Sequence, residues 1–286
     1  MPFKYEDLFG RRSEETRFSY TDTQMMLYNL SIGMGRDPLD DKELPFVFEK
    51  PALRVVPTAA AILGGGGASI LGGIDINWSK VLHGEQRLQC HRPLPPKADL
   101  IGVTRISEIV DKGADKGAII TLAMDVRLAS GEALYTMENV MFARGDGGCG
   151  GGVSTSASTP HQLPDRAPDL THVSEIRPDQ ALLYRLNGDR NPLHAEPAFA
   201  AKAGFSKPIL HGLCSYGVAC RSVLVSVCDY DPAKIKSFDV RFTSPVYPGE
   251  TLHTDIWVDG GVVSFRSRVP ARDITALNNG RCNIGV

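Results

Sequence analysis

Stretches in which apolar and β-branched residues dominate predict the strands of this chain. Ala118–Leu128 is such a stretch, with a turn at Ser130-Gly131, and Asn139–Phe142 can pair back onto it. The second half contains three more: Lys236–Thr243, Thr251–Val258 and Val262–Val269. Asp259-Gly260-Gly261 fits a hairpin turn between the last two. Each half is therefore predicted to form a mostly antiparallel sheet.

One segment has a different pattern. Between Leu213 and Cys228, apolar residues fall on most sides of a helix instead of at alternate positions. This pattern is typical of a helix that is buried all round, and its length predicts about four turns. We therefore expect the sheet of the second half to wrap around one central helix.

The composition changes sharply in the middle of the chain. Residues 145–164 are rich in glycine and serine, which is typical of a linker that does not pack. This segment separates two units of similar size, 1–144 and 165–286. Short matches recur in the same order in both units, which indicates an internal duplication: Leu27–Leu30 with Leu183–Leu186, Gly35–Asp40 with Asp189–His194, His83-Gly84 with His211-Gly212, and Pro93–Pro96 with Pro245–Pro248.

The spacing of two matched landmarks differs between the units. His83 precedes Pro93 by about ten residues, whereas His211 precedes Pro245 by about thirty-four. Most of the additional residues belong to the apolar helical segment. The first unit is therefore expected to have lost this helix or to have reduced it to a loop.

Charge and hydropathy exclude several classes of protein. The formal net charge of -2 shows no basic excess of the kind that nucleic-acid binding needs. No apolar run reaches the roughly 18 residues of a membrane-spanning helix. The polar N-terminus and the C-terminus lack a signal peptide, a peroxisomal Ser-Lys-Leu address and a lipidation motif. We expect a bacterial cytoplasmic protein, or a peroxisomal one if the source is a eukaryote.

The six cysteines do not suggest a metal site. None forms a Cys-x-x-Cys pair, and no group of cysteine and histidine has zinc-ligand spacing. Free thiols in a reducing compartment are the expected state.

Asp189 and His194 are the leading candidates for catalysis. In the matching segment of the first unit, Gly35 takes the place of Asp189 and Asp40 that of His194. Two groups of different pKa can divide a proton transfer. Between them, Asn191 offers an amide for a water or a carbonyl, and a proline stiffens the loop. An acid/base pair kept in one unit indicates a single active site, although Asn-Gly-Asp and Asn-Pro also fit an ordinary surface turn.

Other candidates have simpler alternatives. Gly212 begins the apolar helix, where free N–H groups can stabilise an oxyanion, but glycine is also common at helix starts. His211 is expected to be a structural hydrogen-bonding group, with a second proton carrier as the alternative. Gly64–Gly67 lacks phosphate-loop spacing and predicts a flexible loop. Asp111-Lys112-Gly113 predicts a turn whose lysine is either solvated or bound to a phosphate.

The motifs resemble a known family. Tyr184–His194 followed by Ile209–Gly212 resembles the hydratase-2 motif of the MaoC-like family, which contains (R)-specific 2-enoyl-CoA hydratases. Leu82–Gln86, His91–Pro95 and Pro245–Gly249 are also similar to its two-domain members, so the resemblance covers nearly the whole chain. It implies an α+β double hot-dog fold, two antiparallel sheets that each wrap a helix. The N-terminal unit would lack its regular helix and accommodate the acyl chain, and the C-terminal unit would be catalytic.

The resemblance also implies roles for individual residues. Asp189 and His194 would activate a water, Asn191 would orient the pair, and the Gly212 N–H would stabilise the thioester oxyanion. The product of trans-2-enoyl-CoA would be (3R)-3-hydroxyacyl-CoA. Further residues are expected to contact the acyl-CoA substrate: His83, Gly84, Lys112, Arg190, Pro192, Leu193 and Phe242, the last of which also fits a core aromatic.

No metal or redox cofactor is expected, because the addition of water to the alkene has no redox step. The expected partner is the acyl-CoA, and a homodimer is compatible with the family. Fold alone leaves two alternatives: an acyl-CoA thioesterase and a non-catalytic acyl-CoA-binding protein. The complete Asp–Asn–His loop favours water addition, and a binding protein would not need both members of the acid/base pair.

Overall fold

The computed structural model describes residues 3–64, 70–151 and 160–285. Its strands are β1 (Thr16–Tyr20), β2 (Val81–Cys90), β3 (Ala98–Asp111), β4 (Ala118–Leu128), β5 (Ala133–Ala143), β6 (Leu170–Glu175), β7 (Ile235–Phe242), β8 (Thr251–Asp259), β9 (Val262–Val269) and β10 (Ile274–Ile284). Its α-helices are α1 (Tyr5–Leu8), α2 (Asp22–Ser31), α3 (Gln180–Tyr184), α4 (Pro197–Lys202) and α5 (Gly212–Val227).

All ten of these strands form one antiparallel sheet. Their order is β1-β3-β4-β5-β2-β7-β10-β9-β8-β6. From one edge inward the order is β1, β3, β4, β5, β2, and from the other edge it is β6, β8, β9, β10, β7. The two units therefore repeat one strand order and meet where β2 pairs with β7, with Arg87 opposite Asp239. The repeated order agrees with an internal duplication, and the unit boundaries stay a prediction.

The predicted strands are confirmed, but β5 (Ala133–Ala143) begins well before the predicted Asn139–Phe142. β4 and β9 have the predicted bounds, β7 begins and ends one residue earlier than predicted, and β8 ends one residue later. Asn139 of β5 pairs with Leu122 of β4, as expected for a strand that folds back. The β8–β9 hairpin turns at Gly260, whose φ of +60° suits a residue without a Cβ.

The predicted central helix is confirmed as α5, which has 16 residues. Ten of them are buried, including Val218, Val223 and Leu224. Each such aliphatic side chain contributes roughly 1.5–3 kcal/mol on burial, which outweighs the weak helix propensity of valine. The buried Tyr216 hydroxyl donates to the Phe238 carbonyl of β7 at 2.7 Å, so the helix is also bonded to the sheet.

The first unit has a shorter element in the corresponding place. Among the residues described between β1 and β2, α2 is the longest helix, and a six-residue 3-10 helix (Pro57–Ile62) packs against α5. Ala59 and Ala60 of this 3-10 helix are fully buried. The expectation that the central helix is reduced in this unit agrees with the described residues.

One match used for that expectation is wrong. His83 and Gly84 lie within β2, the counterpart of β7, and not at the start of a helix. They do not correspond to His211 and Gly212, which directly precede and begin α5. The spacing from His83 to Pro93 is short because both residues lie beyond the place of the central helix.

The linker prediction is also wrong for its first part. Asp146 and Cys149 are buried, and the Asp111 carboxylate accepts hydrogen bonds from the amides of Gly148 and Gly150. The glycines permit this close packing, since a Cβ on Gly147 would lie 2.1 Å from a backbone oxygen. Residues 152–159 of the predicted linker, and 65–67 of the predicted glycine loop, lie outside the described residues.

All six cysteines are free, as predicted, and five of them are buried. Within the described ranges, no helix combines the length and the apolar character needed to cross a bilayer.

Candidate active site

The Asp189–His194 loop is shaped by its own side chains. Gly188 enters it with a φ of +121°, a conformation that a residue with a Cβ rarely adopts. The Asp189 carboxylate then accepts a hydrogen bond of 3.1 Å from the backbone N–H of Asn191. The Asn191 side chain accepts from the Leu193 amide at 3.0 Å and caps a 3-10 turn, Pro192–His194. The Asp-x-Asn-Pro-x-His order therefore fixes the separation between the carboxylate and the imidazole.

His194 is held as a neutral base. Its Nδ1 lies 2.9 Å from the carbonyl oxygen of Ile209. A carbonyl only accepts hydrogen bonds, so Nδ1 carries the proton and Nε2 of the neutral ring has a free lone pair. Burial lowers the pKa of His194 below its usual 6.5, and the backbone bond and the Asp189 carboxylate oppose this only in part. The ring is therefore unprotonated near neutral pH.

His211 supports this arrangement. Its ring stacks on that of His194, with centroids 3.7 Å apart. Its Nε2 lies 3.3 Å from the backbone oxygen of Asp189, so it also holds the chain at the carboxylate. Burial and the adjacent His194 lower the pKa of His211 to about 4, which keeps it neutral. These contacts agree with the predicted structural role.

The start of α5 faces the same space. His211 is the residue before the helix and Gly212 its first residue, so the first amides have no intrahelical partner. The ring of Phe242 covers Gly212 closely: a Cβ on the glycine would lie 3.3 Å from two ring atoms. One donor or acceptor atom from each of Asp189, His194 and His211 lies within 4.8 Å of the other two. The acid/base pair and the helix N-terminus are thus brought together.

A cavity of about 800 Å³ contains most of the predicted site residues. These residues line it: His83, Gly84, Asp189, Asn191, Leu193, His194, Gly212 and Phe242. Arg190 and Pro192 belong to the same loop but do not line the cavity. Lys112 lies outside it, in the turn between β3 and β4.

His83 is an unusual member of this cavity wall. Its ring lies 4.7 Å from that of Phe242, which joins β2 of the first unit to β7 of the second. Its Nε2 is buried and has no hydrogen-bond partner among the described residues. Burial lowers the pKa of His83 to about 4, so the ring is neutral.

A second cavity of about 260 Å³ adjoins the first. Asp189 and Leu213 line both, and Tyr184 and Gly188 line the second. Ala61 and Ile62 of the first unit form its remaining apolar wall. Asp189 therefore stands between a wide cavity and a narrower, partly apolar one, and the first unit contributes to both.

Comparisons with known proteins agree with this architecture. Residues 18–145 match the MFE-2 hydratase 2 N-terminal domain, and residues 158–279 match the MaoC like domain. Enoyl-CoA hydratase ChsH3 of Mycobacterium tuberculosis is 39% identical over 98% of this chain and 98% of its own length. The chain belongs to the MaoC-like hydratase 2 family. As a member of this family, it is a hydro-lyase.

Two further relatives extend the match within the hydratase 2 family. The peroxisomal enoyl-CoA hydratase 2 of Arabidopsis thaliana is 37% identical over 96% of this chain and 94% of its own. The crystal structure of a MaoC-like dehydratase from Phytophthora capsici superposes with a TM-score of 0.86, at 31% identity over 96% of both chains. The predicted double hot-dog fold is confirmed.

Several cavity residues of this family member were not predicted. Arg144 directly follows β5, and Arg241 directly precedes the predicted site residue Phe242 in β7. Their positions in and beside predicted strands could have suggested that both belong to the site. Asn278 and Asn279 lie at an irregularity of β10, where Asn279 has a φ of +53°. No pattern in the sequence marks this bulge, because it depends on pairing with β7 and β9.

Proposed function

We propose that this chain catalyses the (R)-specific hydration of trans-2-enoyl-CoA to (3R)-3-hydroxyacyl-CoA, and the reverse dehydration. One observation carries the proposal: a neutral imidazole with a free Nε2 lies beside a carboxylate, in the cavity where a 16-residue helix begins. The names of the enoyl-CoA hydratase relatives support the substrate class. The stereochemistry rests on the resemblance of the Tyr184–His194 motif to (R)-specific family members.

Water activation is assigned to the acid/base pair. A water between Asp189 and His194 donates one hydrogen bond to the carboxylate and one to Nε2. Its oxygen bonds to the β-carbon of the substrate as the pair removes a proton, and that proton is returned to the α-carbon. The sum is one water added across the double bond. Positioned proton transfer of this kind contributes about 10²- to 10⁴-fold to the rate.

The N-terminus of α5 is assigned the role of stabilising the negative charge that develops on the substrate. As the β-carbon is attacked, the thioester oxygen gains enolate character. The Gly212 amide has no intrahelical partner and the helix dipole adds partial positive charge there. A single oxyanion donor typically contributes about 10²- to 10³-fold to kcat. The absence of a side chain at this residue lets the thioester approach the amide.

The positions of the two cavities determine the proposed orientation of the bound substrate. With the thioester at Gly212, the acyl chain extends into the smaller cavity against Ala61 and Ile62. The CoA portion leaves through the larger cavity. In this arrangement the first unit, which lacks the acid/base pair, accommodates the acyl chain. The chemistry itself calls for no metal and no redox cofactor.

The assay is the loss of the conjugated enoyl absorbance of crotonyl-CoA and trans-2-decenoyl-CoA, with chiral analysis of the product. We expect loss of absorbance, formation of the (3R) alcohol and no free thiol. Release of thiol without hydration would replace the proposal by a thioesterase, and a (3S) product would refute the stereochemistry. A homodimer and a cytoplasmic or peroxisomal location stay predictions.

A further inference from the structure

A short segment crosses the second unit on the outside of the sheet. Residues 160–169, here called the outer strap, directly precede β6 at the edge of the sheet. The side-chain amide of Asn279 donates to the His161 carbonyl of the strap at 2.8 Å. The indole N–H of Trp257 donates to the Arg166 carbonyl, also at 2.8 Å. Because these two bonds come from β10 and β8, the strap is fastened to more than one strand.

The outer strap lies on the face of the sheet that is turned away from α5. Phe265 of β9 and Ile256 of β8 belong to the hydrophobic core that contains α5. Neighbouring side chains of a strand point to opposite faces, so Ser264 and Trp257 point outward. The Ser264 hydroxyl lies 2.8 Å from Nε2 of His161 in the strap. The ring of His161 is therefore bonded to β9, while its carbonyl is bonded to β10.

The bond to β10 is made at a β-bulge. Arg241 and Asp239 of β7 pair with Asn278 and Arg281 of β10, so two residues of β10 lie opposite one residue of β7. Such a bulge bends its strand and changes the direction of the side chains at that point. Asn279 is one of the two residues, so the strap is attached to the bulge itself.

The bulge depends on two particular residues. Asn279 has a φ of +53°, a left-handed conformation that asparagine adopts more readily than most residues. A Cβ on Gly280 would lie 2.5 Å from two ring atoms of Phe265, which is fully buried. The absence of a side chain at Gly280 therefore lets the bulge pack directly on the core.

The same bulge forms part of the wall of the larger cavity. Leu277, Asn278 and Asn279 all line this cavity. In a regular strand, neighbouring side chains would point to opposite faces, so three consecutive lining residues reflect the bulge. Leu277 pairs with Phe242, whose ring covers Gly212. The bulge therefore begins directly beside the place assigned to the thioester.

We propose that Asn279 is a positioning residue for the hydration reaction. Through its bond to the outer strap it holds the bulge in one geometry, and the bulge holds the cavity wall beside Phe242. This rests on the proposed function, in which the larger cavity takes the CoA portion of the substrate. A loosened wall weakens substrate binding and leaves the chemical step nearly unchanged, because Asp189 and His194 lie on a separate loop with its own hydrogen bonds.

Three variants separate positioning from direct contact with the substrate. Asn279→Gly keeps the left-handed backbone but removes the bond to the strap. We expect its KM for crotonyl-CoA to rise about 3- to 10-fold, the range for one lost hydrogen bond, with kcat within about twofold of the unmodified protein. Ser264→Ala loosens the His161 ring and should raise KM about 2- to 5-fold. Trp257→Phe is the matched control, because it removes a bond of the same kind and length farther along the strap, and its KM should stay unchanged. Ser264 and Trp257 are not among the described residues that line the two cavities of the site.

Amide hydrogen exchange provides a readout that does not depend on turnover. Exchange in peptides that cover residues 274–284 should become faster in Asn279→Gly and in Ser264→Ala and stay unchanged in Trp257→Phe, with urea unfolding as the check that each variant is folded.

Unchanged KM or unchanged exchange in Asn279→Gly or in Ser264→Ala would overturn the proposal. A rise in KM for Trp257→Phe as large as that for Asn279→Gly would also overturn it, since the effect would then reflect a general loss of stability. Failure of the proposed function looks different: the unmodified protein would not hydrate crotonyl-CoA, while the exchange rates would still distinguish the variants.

Discussion

Replacement of Asp189 by asparagine tests the central pair most directly. The substitution removes the charge of the side chain but keeps its size. It also keeps one oxygen that can accept a hydrogen bond from the backbone N–H of Asn191. The polar atoms of Asp189 and His194 lie within 4.8 Å. At that separation, a carboxylate and an imidazolium attract by about 1 kcal/mol in a water-like medium and about 3.5 kcal/mol at an effective dielectric constant of 20. Because Asp189 is exposed, the lower figure applies more closely.

Two consequences follow for the rate. Loss of the charge attraction alone, about 1 kcal/mol, would lower kcat only about fivefold. Because the carboxylate is also assigned a part in the proton transfer, we expect kcat to fall by about 10²- to 10⁴-fold. The unmodified protein should lose kcat/KM as pH falls, because His194 must be neutral and protonates only below its usual pKa of 6.5. The Asp189 charge raises the pKa of His194, so its removal should move the decline of the residual activity to lower pH.

The measurement is the initial rate of crotonyl-CoA hydration across a pH series at constant ionic strength. Asp165→Asn is the matched control, because Asp165 is exposed and lies outside both cavities. Its profile should overlay that of the unmodified protein. Near-normal turnover of Asp189→Asn, or a decline that moves to higher pH, would refute the assigned roles.

Three other substitutions probe the surroundings of the pair. Gly212→Ala should lower kcat/KM about 10- to 100-fold, since its methyl group would lie 3.3 Å from the Phe242 ring and displace the thioester, and Phe242→Leu in the same chain should restore part of the loss. Ile62→Trp should fill the smaller cavity and reduce kcat/KM for decenoyl-CoA far more than for crotonyl-CoA; equal losses would place the acyl chain elsewhere. Glu43→Ala removes the buried partner of the half-buried Arg221, so urea unfolding should show a loss of up to about 3–5 kcal/mol, and Arg221→Met in addition should recover part of it; purely additive losses would contradict this.

Local sequence patterns predicted much of the fold. Ala118–Leu128 and Val262–Val269 were predicted with their observed bounds, because long apolar strands between clear turns depend little on distant residues. The central helix was predicted within one residue because it is apolar on all sides. The packing of Cys149 was missed, since glycine-rich composition does not show that a carboxylate 38 positions away binds the neighbouring amides.

Local sequence was enough to specify the loop that carries the acid/base pair. Asp189, Asn191 and His194 are close along the chain, and the turn between them is built from its own hydrogen bonds, so short-range pattern was sufficient. The surroundings of that loop depend on tertiary packing. The neutral state of His194 depends on the Ile209 carbonyl and on burial, and the cavity walls come from β2, β5 and β10. The His194–Ile209 contact is set by the folding of the second unit alone. The cavity walls come from residues far apart in the chain, whose separation in space becomes fixed only when the two units form one sheet.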